Sequence, residues 1–172
     1  MISEESGSLL DAPADALVNT VNTVGIMGKG LALQFKQAYP GNFRAYQAAC
    51  RNGEVRLGRM FVYEPGVPGQ PRCLINFPTK GHWRANSKLS DIRTGLADLR
   101  QVILDRGITS IAVPPLGCGN GGLSWQDVRP LIVGHLATCR MSASCCRTIP
   151  SSLTTPSPWS MAAPRNLPAS TD

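Results

Sequence analysis

Residues 15–38, DALVNTVNTVGIMGKGLALQFKQA, change character twice over a short span. The apolar run through Leu17, Val18 and Val21 suits a buried strand, and it empties into the loop NTVGIMGKG. Beyond Gly30, Leu31, Phe35 and Ala38 share one face at helical spacing, and Pro40 with Gly41 is expected to stop that helix. Strand, glycine loop and helix in succession form the basic unit of an α/β sheet, whose ligands sit at the carboxyl ends of the strands.

Working outward, Asn42 to Arg51 reads as a second short helix, and RMFVYEP (59–65) and RCLINFP (72–78) as strands that pair across the turn GVPGQ. From Lys88 to Arg106, Leu89, Ile92, Leu96, Leu99 and Ile103 recur at helical steps, and Gly107 closes the helix. SIAVPPLGCGNGGLSW then gives a strand, a loop with four glycines (117, 119, 121 and 122), and Ser124 as a helix cap with Asp127 three positions on. Val128, Leu131, Ile132 and Leu136 face inward from the helix that follows. This order predicts a three-layer α/β/α fold.

The 172 residues fit one domain, and 42% hydrophobic with 16% charged residues is the composition of a folding chain. A net charge of +6 makes a polyanion a candidate partner, although scattered surface charge accounts for it as well. The six cysteines form no CxxC pair, so no metal site is expected. With no signal-like N-terminus and no run long enough to span a bilayer, the expected location is a reducing cytoplasm, with no membrane partner. Residues 1–137 are taken as the folded domain. From residue 138 the chain is dense in Ser, Thr, Pro and Cys without periodicity, so 138–172 reads as a low-complexity tail, disordered or foreign to the native protein, with no convincing closing strand.

Both glycine loops follow a strand and precede a helix, so their backbone N–H groups can turn toward a diphosphate beside a helix N-terminus. Neither has the spacing of a Walker A loop or a GxGxxG fingerprint. Each could be only a tight turn, and Asn19 and Asn22 could simply satisfy one. Lys80, in FPTKGHWR, follows an apolar strand at the same sheet edge; most lysines in that position are solvated charges. His82, Trp83 and Arg84 are candidates to contact DNA, against the alternative of a Trp that anchors its loop to the core. Cys118 has no neighbouring His and reads as a small buried residue, not a nucleophile.

Taken together, ALVNTVNTVGIMGKGLALQFK, INFPTKGHWR and IAVPPLGCGNGGLSW resemble macrodomains of the DarG antitoxin type over roughly residues 7–136. The resemblance implies a mixed central sheet between helical layers and an ADP-ribose cleft across the strand ends. It implies a hydrolase that removes ADP-ribose from thymidine in single-stranded DNA and so reverses the modification made by a DarT-type toxin, a possible partner. That is a DNA-repair role in a toxin–antitoxin system, with free ADP-ribose as product and no cofactor. The same motifs resemble the human terminal ADP-ribose glycohydrolase, which likewise employs a lysine.

Carried onto this chain, the resemblance makes Lys80 catalytic and puts Thr20, Val21 and Asn22 beside the distal ribose. Gly30, Leu31, Ala32, Leu33 and Gln34 close over ribose and diphosphate, and Gly117, Cys118, Gly119, Asn120 and Gly121 run along the diphosphate. Ser8, Leu9 and Thr79 complete the substrate-binding set. Two departures stand out. Gly7-Ser8 replaces the usual Gly-Asp pair that holds adenine, and GCGNGG lacks the carboxylate of the human relative's second loop. Both leave open an alternative, a macrodomain that binds ADP-ribose without turnover.

Overall fold

A computed structural model of the chain describes residues 2–4, 7–137 and 146–148. In chain order the elements are β1 (Ile2–Glu4), β2 (Ala16–Asn22), α1 (Gly30–Ala38), α2 (Pro40–Arg51), β3 (Phe61–Tyr63) and β4 (Cys73–Lys80). They continue with α3 (Leu89–Asp105), β5 (Ile111–Val113), α4 (Trp125–Leu136) and β6 (Cys146–Thr148), and a 3₁₀ turn spans Leu9–Asp11. One sheet runs in the order β1-β6-β5-β2-β4-β3. Only the β3–β4 pairing is antiparallel, so the sheet is mixed and β2, β4 and β5 end at the same edge.

Strand alternation divides the core in two. Ala16, Val18, Ile75 and Phe77 pack with Ile92, Leu96 and Leu99 of α3 and Val128 and Ile132 of α4 on one face. Leu17 and Leu74 meet Phe35 of α1, and Val21 meets Tyr46 of α2, on the other. The three-layer α/β/α arrangement read from the sequence is thus the observed one. Each fully buried Leu or Ile contributes about 1.5–3 kcal/mol relative to exposure, so the α3 stripe is a major source of stability. Gly95 lets α3 settle on the sheet, because a Cβ there would collide with the Phe77 ring.

Four details differ from the sequence reading. Pro40 and Gly41 begin α2, with Pro40 in its first turn, where the missing N–H costs nothing and φ is preset. Tyr39 is the hinge: its N–H closes α1 on Phe35 O, and its carbonyl accepts the first bond of α2, from Phe43. Leu89 and Ala38, expected on buried faces, are exposed, because each sits at an extreme end of its helix. The closing strand missing from the sequence pattern is present as β6, parallel to both β5 and β1. β1 and β6 are each three residues long and are joined through backbone groups, so they leave no periodicity to read. The expectation of disorder for the rest of 138–172 lies outside the described residues.

Candidate active site

The carboxyl ends of β2, β4 and β5 converge on the two glycine loops, which fixes where chemistry can occur. The first loop follows β2 and is tied to the end of β4: the Thr23 N–H and Oγ1 both donate to Gly81 O, at 3.2 and 2.8 Å. Within it, Asn22 Oδ1 accepts from the N–H groups of Val24 (3.0 Å) and Ile26 (3.3 Å), while Nδ2 donates to Ile26 O (2.6 Å). The Tyr46 hydroxyl of α2 lies 2.6 Å from Asn22 O and 3.2 Å from Oδ1. Asn22 is therefore committed to ordering its own turn. Burial pushes the Tyr46 phenol far above its ordinary pKa, so it stays protonated and donating.

Asn19 is not a turn residue but a fully buried member of β2. Its Nδ2 donates to Asn76 Oδ1 (3.0 Å) and approaches Met27 Sδ (3.8 Å), and Asn76 exchanges amide bonds with Asn42 of α2. This network pins Met27, and with it the middle of the first loop, to the sheet.

Lys80 ends β4. The β2–β4 register slips there, so that Lys80 rather than Thr79 stands opposite Asn22. A bulge of this kind redirects the side chains that follow it. Thr79 is buried and its hydroxyl donates to Val21 O. The Lys80 amine donates to the carbonyl of Asn120 in the second glycine loop, at 2.7 Å. Burial lowers its pKa, and neither Arg84 nor Lys88 contributes to that shift.

The second loop is held mainly by backbone. Cys118 N–H donates to Pro115 O, Gly122 to Gly119 O and Leu123 to Gly117 O, while Ser87 N–H reaches Gly121 O at 2.9 Å. Among the described residues no bond takes the N–H groups of Gly119, Asn120 or Gly121. The first three N–H groups of α1 have no preceding turn to donate to, and Lys29 supplies no side-chain cap for them. α4, by contrast, is capped by the Ser124 hydroxyl, which accepts from Gln126. The two loops meet closely: a Cβ on Gly30 would lie 3.4 Å from Asn120 Nδ2.

The other expected residues fall as follows. Thr20 and Val21 lie on β2 beside Asn22, and Leu31 to Gln34 form the first turns of α1. Ser8 precedes the Leu9–Asp11 turn and makes no capping bond, while Leu9 is buried in the core. Cys118 donates to Leu116 O, and burial pushes its thiol up to about 11, so it is protonated and no nucleophile at neutral pH. Trp83 is 40% exposed and does not anchor its loop to the core; the Arg84 guanidinium lies 4.4 Å over its ring and His82 stacks at 5.4 Å. Among the described residues no group of three or more His, Cys, Asp or Glu converges as a metal would require, and no helix is long and apolar enough to cross a membrane. A depression of about 590 Å³ lies at the opposite edge of the sheet, between Asp11–Asp15 and Gly69–Arg72, and includes none of the site residues.

Ser87, Asn76 and Tyr46 were not legible as parts of this site. Ser87 is buried with its hydroxyl unpartnered beneath the second loop, and a Cβ on Gly121 would collide with that hydroxyl and with Gly117 O.

The family described as Macro domain matches residues 18–132. A DNA ADP-ribosyl glycohydrolase of Mycobacterium tuberculosis is 59% identical over 133 residues, covering 77% of this chain and 38% of that protein. The chain thus spans less than two fifths of that relative's length. Among solved structures, the macrodomain of Mycobacterium tuberculosis DarG superposes with a TM-score of 0.85 at 53% identity, covering 88% of this chain and 99% of that one. Thermosipho africanus DarTG in complex with ADP-ribose gives a TM-score of 0.82 at 32% identity, covering 90% and 43% respectively.

Proposed function

This chain belongs to the macro domain family, and on that premise we propose that it is a hydrolase of the DarG type. It removes ADP-ribose from thymidine in single-stranded DNA, in the cytoplasm, and so counteracts a DarT-type toxin. The observation that carries this reading is the partly desolvated Lys80 amine, directed by the β4 bulge onto the Asn120 carbonyl between the two glycine loops.

The diphosphate is held by backbone donors: the free N–H groups of Gly119 to Gly121 and the uncapped N-terminus of α1, where the dipole favours an anion. The distal ribose lies beside Thr20, Val21, Asn22 and Thr79, and adenine extends toward Ser8 and Leu9. Lys80 then faces the anomeric carbon. A neutral amine attacks that carbon as thymine leaves with its bonding pair and takes a proton, and water later releases the sugar; otherwise a charged amine stabilises the departing base while water attacks directly. With no carboxylate in the second loop, Lys80 and backbone dipoles carry the step.

Purified chain incubated with thymidine-ADP-ribosylated oligonucleotide is expected to release free ADP-ribose, and Lys80→Ala to lose at least about 100-fold in rate while ADP-ribose affinity stays within a few-fold. The pH profile separates the two routes. Burial holds the Lys80 pKa below its ordinary 10.5, so the nucleophilic route speeds up as pH rises through that lowered value, and the charged route slows. Undiminished turnover by Lys80→Ala removes the lysine from the mechanism. Tight ADP-ribose binding by the native chain without release makes it a binding module, the reading that Gly7-Ser8 and the missing carboxylate favour.

A further inference from the structure

Of the seven large hydrophobic side chains exposed among the described residues, three are Val24 (45%), Ile26 (43%) and Trp83 (40%). These three stand on the two loops that Thr23 and Gly81 join, each within three residues of that junction. Single exposed apolar residues need no explanation, but a cluster beside a binding edge does. The display is fixed in place: Ile26 is bonded to Asn22 at both its N–H and its carbonyl, and the Trp83 ring is packed by Arg84 and His82.

The stretches that supply the two loops carry charge of one sign. Residues 16–53 contain Lys29, Lys36, Arg44 and Arg51 and no acid, and residues 73–90 contain Lys80, Arg84 and Lys88 and no acid. Together they carry +7, more than the +6 of the whole chain. Lys29, Arg84 and Lys88 are exposed, and none joins an ion pair among the described residues.

We infer that the Val24–Ile26–Trp83 rim is a stacking surface for an unpaired base next to the modified nucleotide, with Arg84 contacting the adjoining phosphate. Only an unpaired base offers a free face to an indole, and every base has such a face, so the surface selects single strands with little sequence preference. It lies outside the ADP-ribose contacts and confers preference for a strand over a lone nucleoside. The inference builds on the DNA substrate proposed above.

The test measures binding of unmodified single-stranded oligothymidylate by fluorescence anisotropy, with ADP-ribose affinity by calorimetry as the check on folding. Trp83→Ala is expected to weaken oligonucleotide binding roughly 5- to 150-fold with ADP-ribose affinity unmoved, and Trp83→Phe to keep most of it. Val24→Ser/Ile26→Ser should weaken it less, and Arg84→Ala should flatten the salt dependence by about 0.7 in log–log slope. Trp83→Ala binding the strand as tightly as the native chain, or the native chain preferring duplex, overturns the inference. A native chain that binds through Trp83 yet releases no ADP-ribose sinks the hydrolase reading and leaves the rim standing.

Discussion

The two glycine loops flank the same lysine but are ordered by opposite means. The first is laced by side chains: Asn22 takes up two N–H groups and a carbonyl of its own turn, Tyr46 secures Asn22 from α2, and Asn19 holds Met27. The second is ordered by the absence of side chains. Gly121 leaves no room for a Cβ against Gly117 O and Ser87, and a Cβ on Gly117, at φ +72, would lie 2.9 Å from both Leu123 and Ser87. A loop made by polar side chains loses stability gradually as they are trimmed. A loop made by close backbone contact fails when any atom is added.

Gly121→Ala breaks the contrast most severely. Its methyl group must displace the Gly117 carbonyl, which moves Asn120 and the partner of Lys80. Overpacking of this kind costs about 1–3 kcal/mol, and ADP-ribose affinity measured by calorimetry should drop more than about tenfold. An alanine variant with native affinity would show that the second loop is pliable. Asn22→Ala comes next: it strips acceptors from two loop N–H groups, but Tyr46 keeps the Asn22 carbonyl. A loss of about 1–3 kcal/mol in denaturant unfolding is expected, with ADP-ribose affinity falling less than for Gly121→Ala; the reverse order would undo the distinction. Ser87→Ala sharpens it with the smallest effect. The hydroxyl has no partner among the described residues, so its removal should change stability by less than about 0.5 kcal/mol, or raise it. The same change should not rescue Gly121→Ala, because the Gly117 carbonyl still blocks the methyl group.

How legible each region was follows from the same contrast. The stripe of α3 stands in the sequence at helical intervals and was read correctly apart from Leu89, and the four glycines of the second loop stand close together between a strand and a helix, where the structure has them. Lys80 was conspicuous because it ends an apolar run, though its aim depends on a register slip that no local pattern encodes. The asparagine network could not be read, since Asn76 lies 57 positions from Asn19 and 34 from Asn42 and the three meet only when β2, β4 and α2 pack. Asn19 therefore looked like a turn residue. Pro40 was ambiguous in principle, because the same fixed φ that ends one helix suits the first turn of another.

The bulge at the end of β4 shows how far a small offset can reach. One residue skipped in the ladder changes the partner of Asn22 from an alcohol to a cation. The amine that meets the Asn120 carbonyl thus owes its place to a missed pairing between two strands and not to any feature of its own side chain.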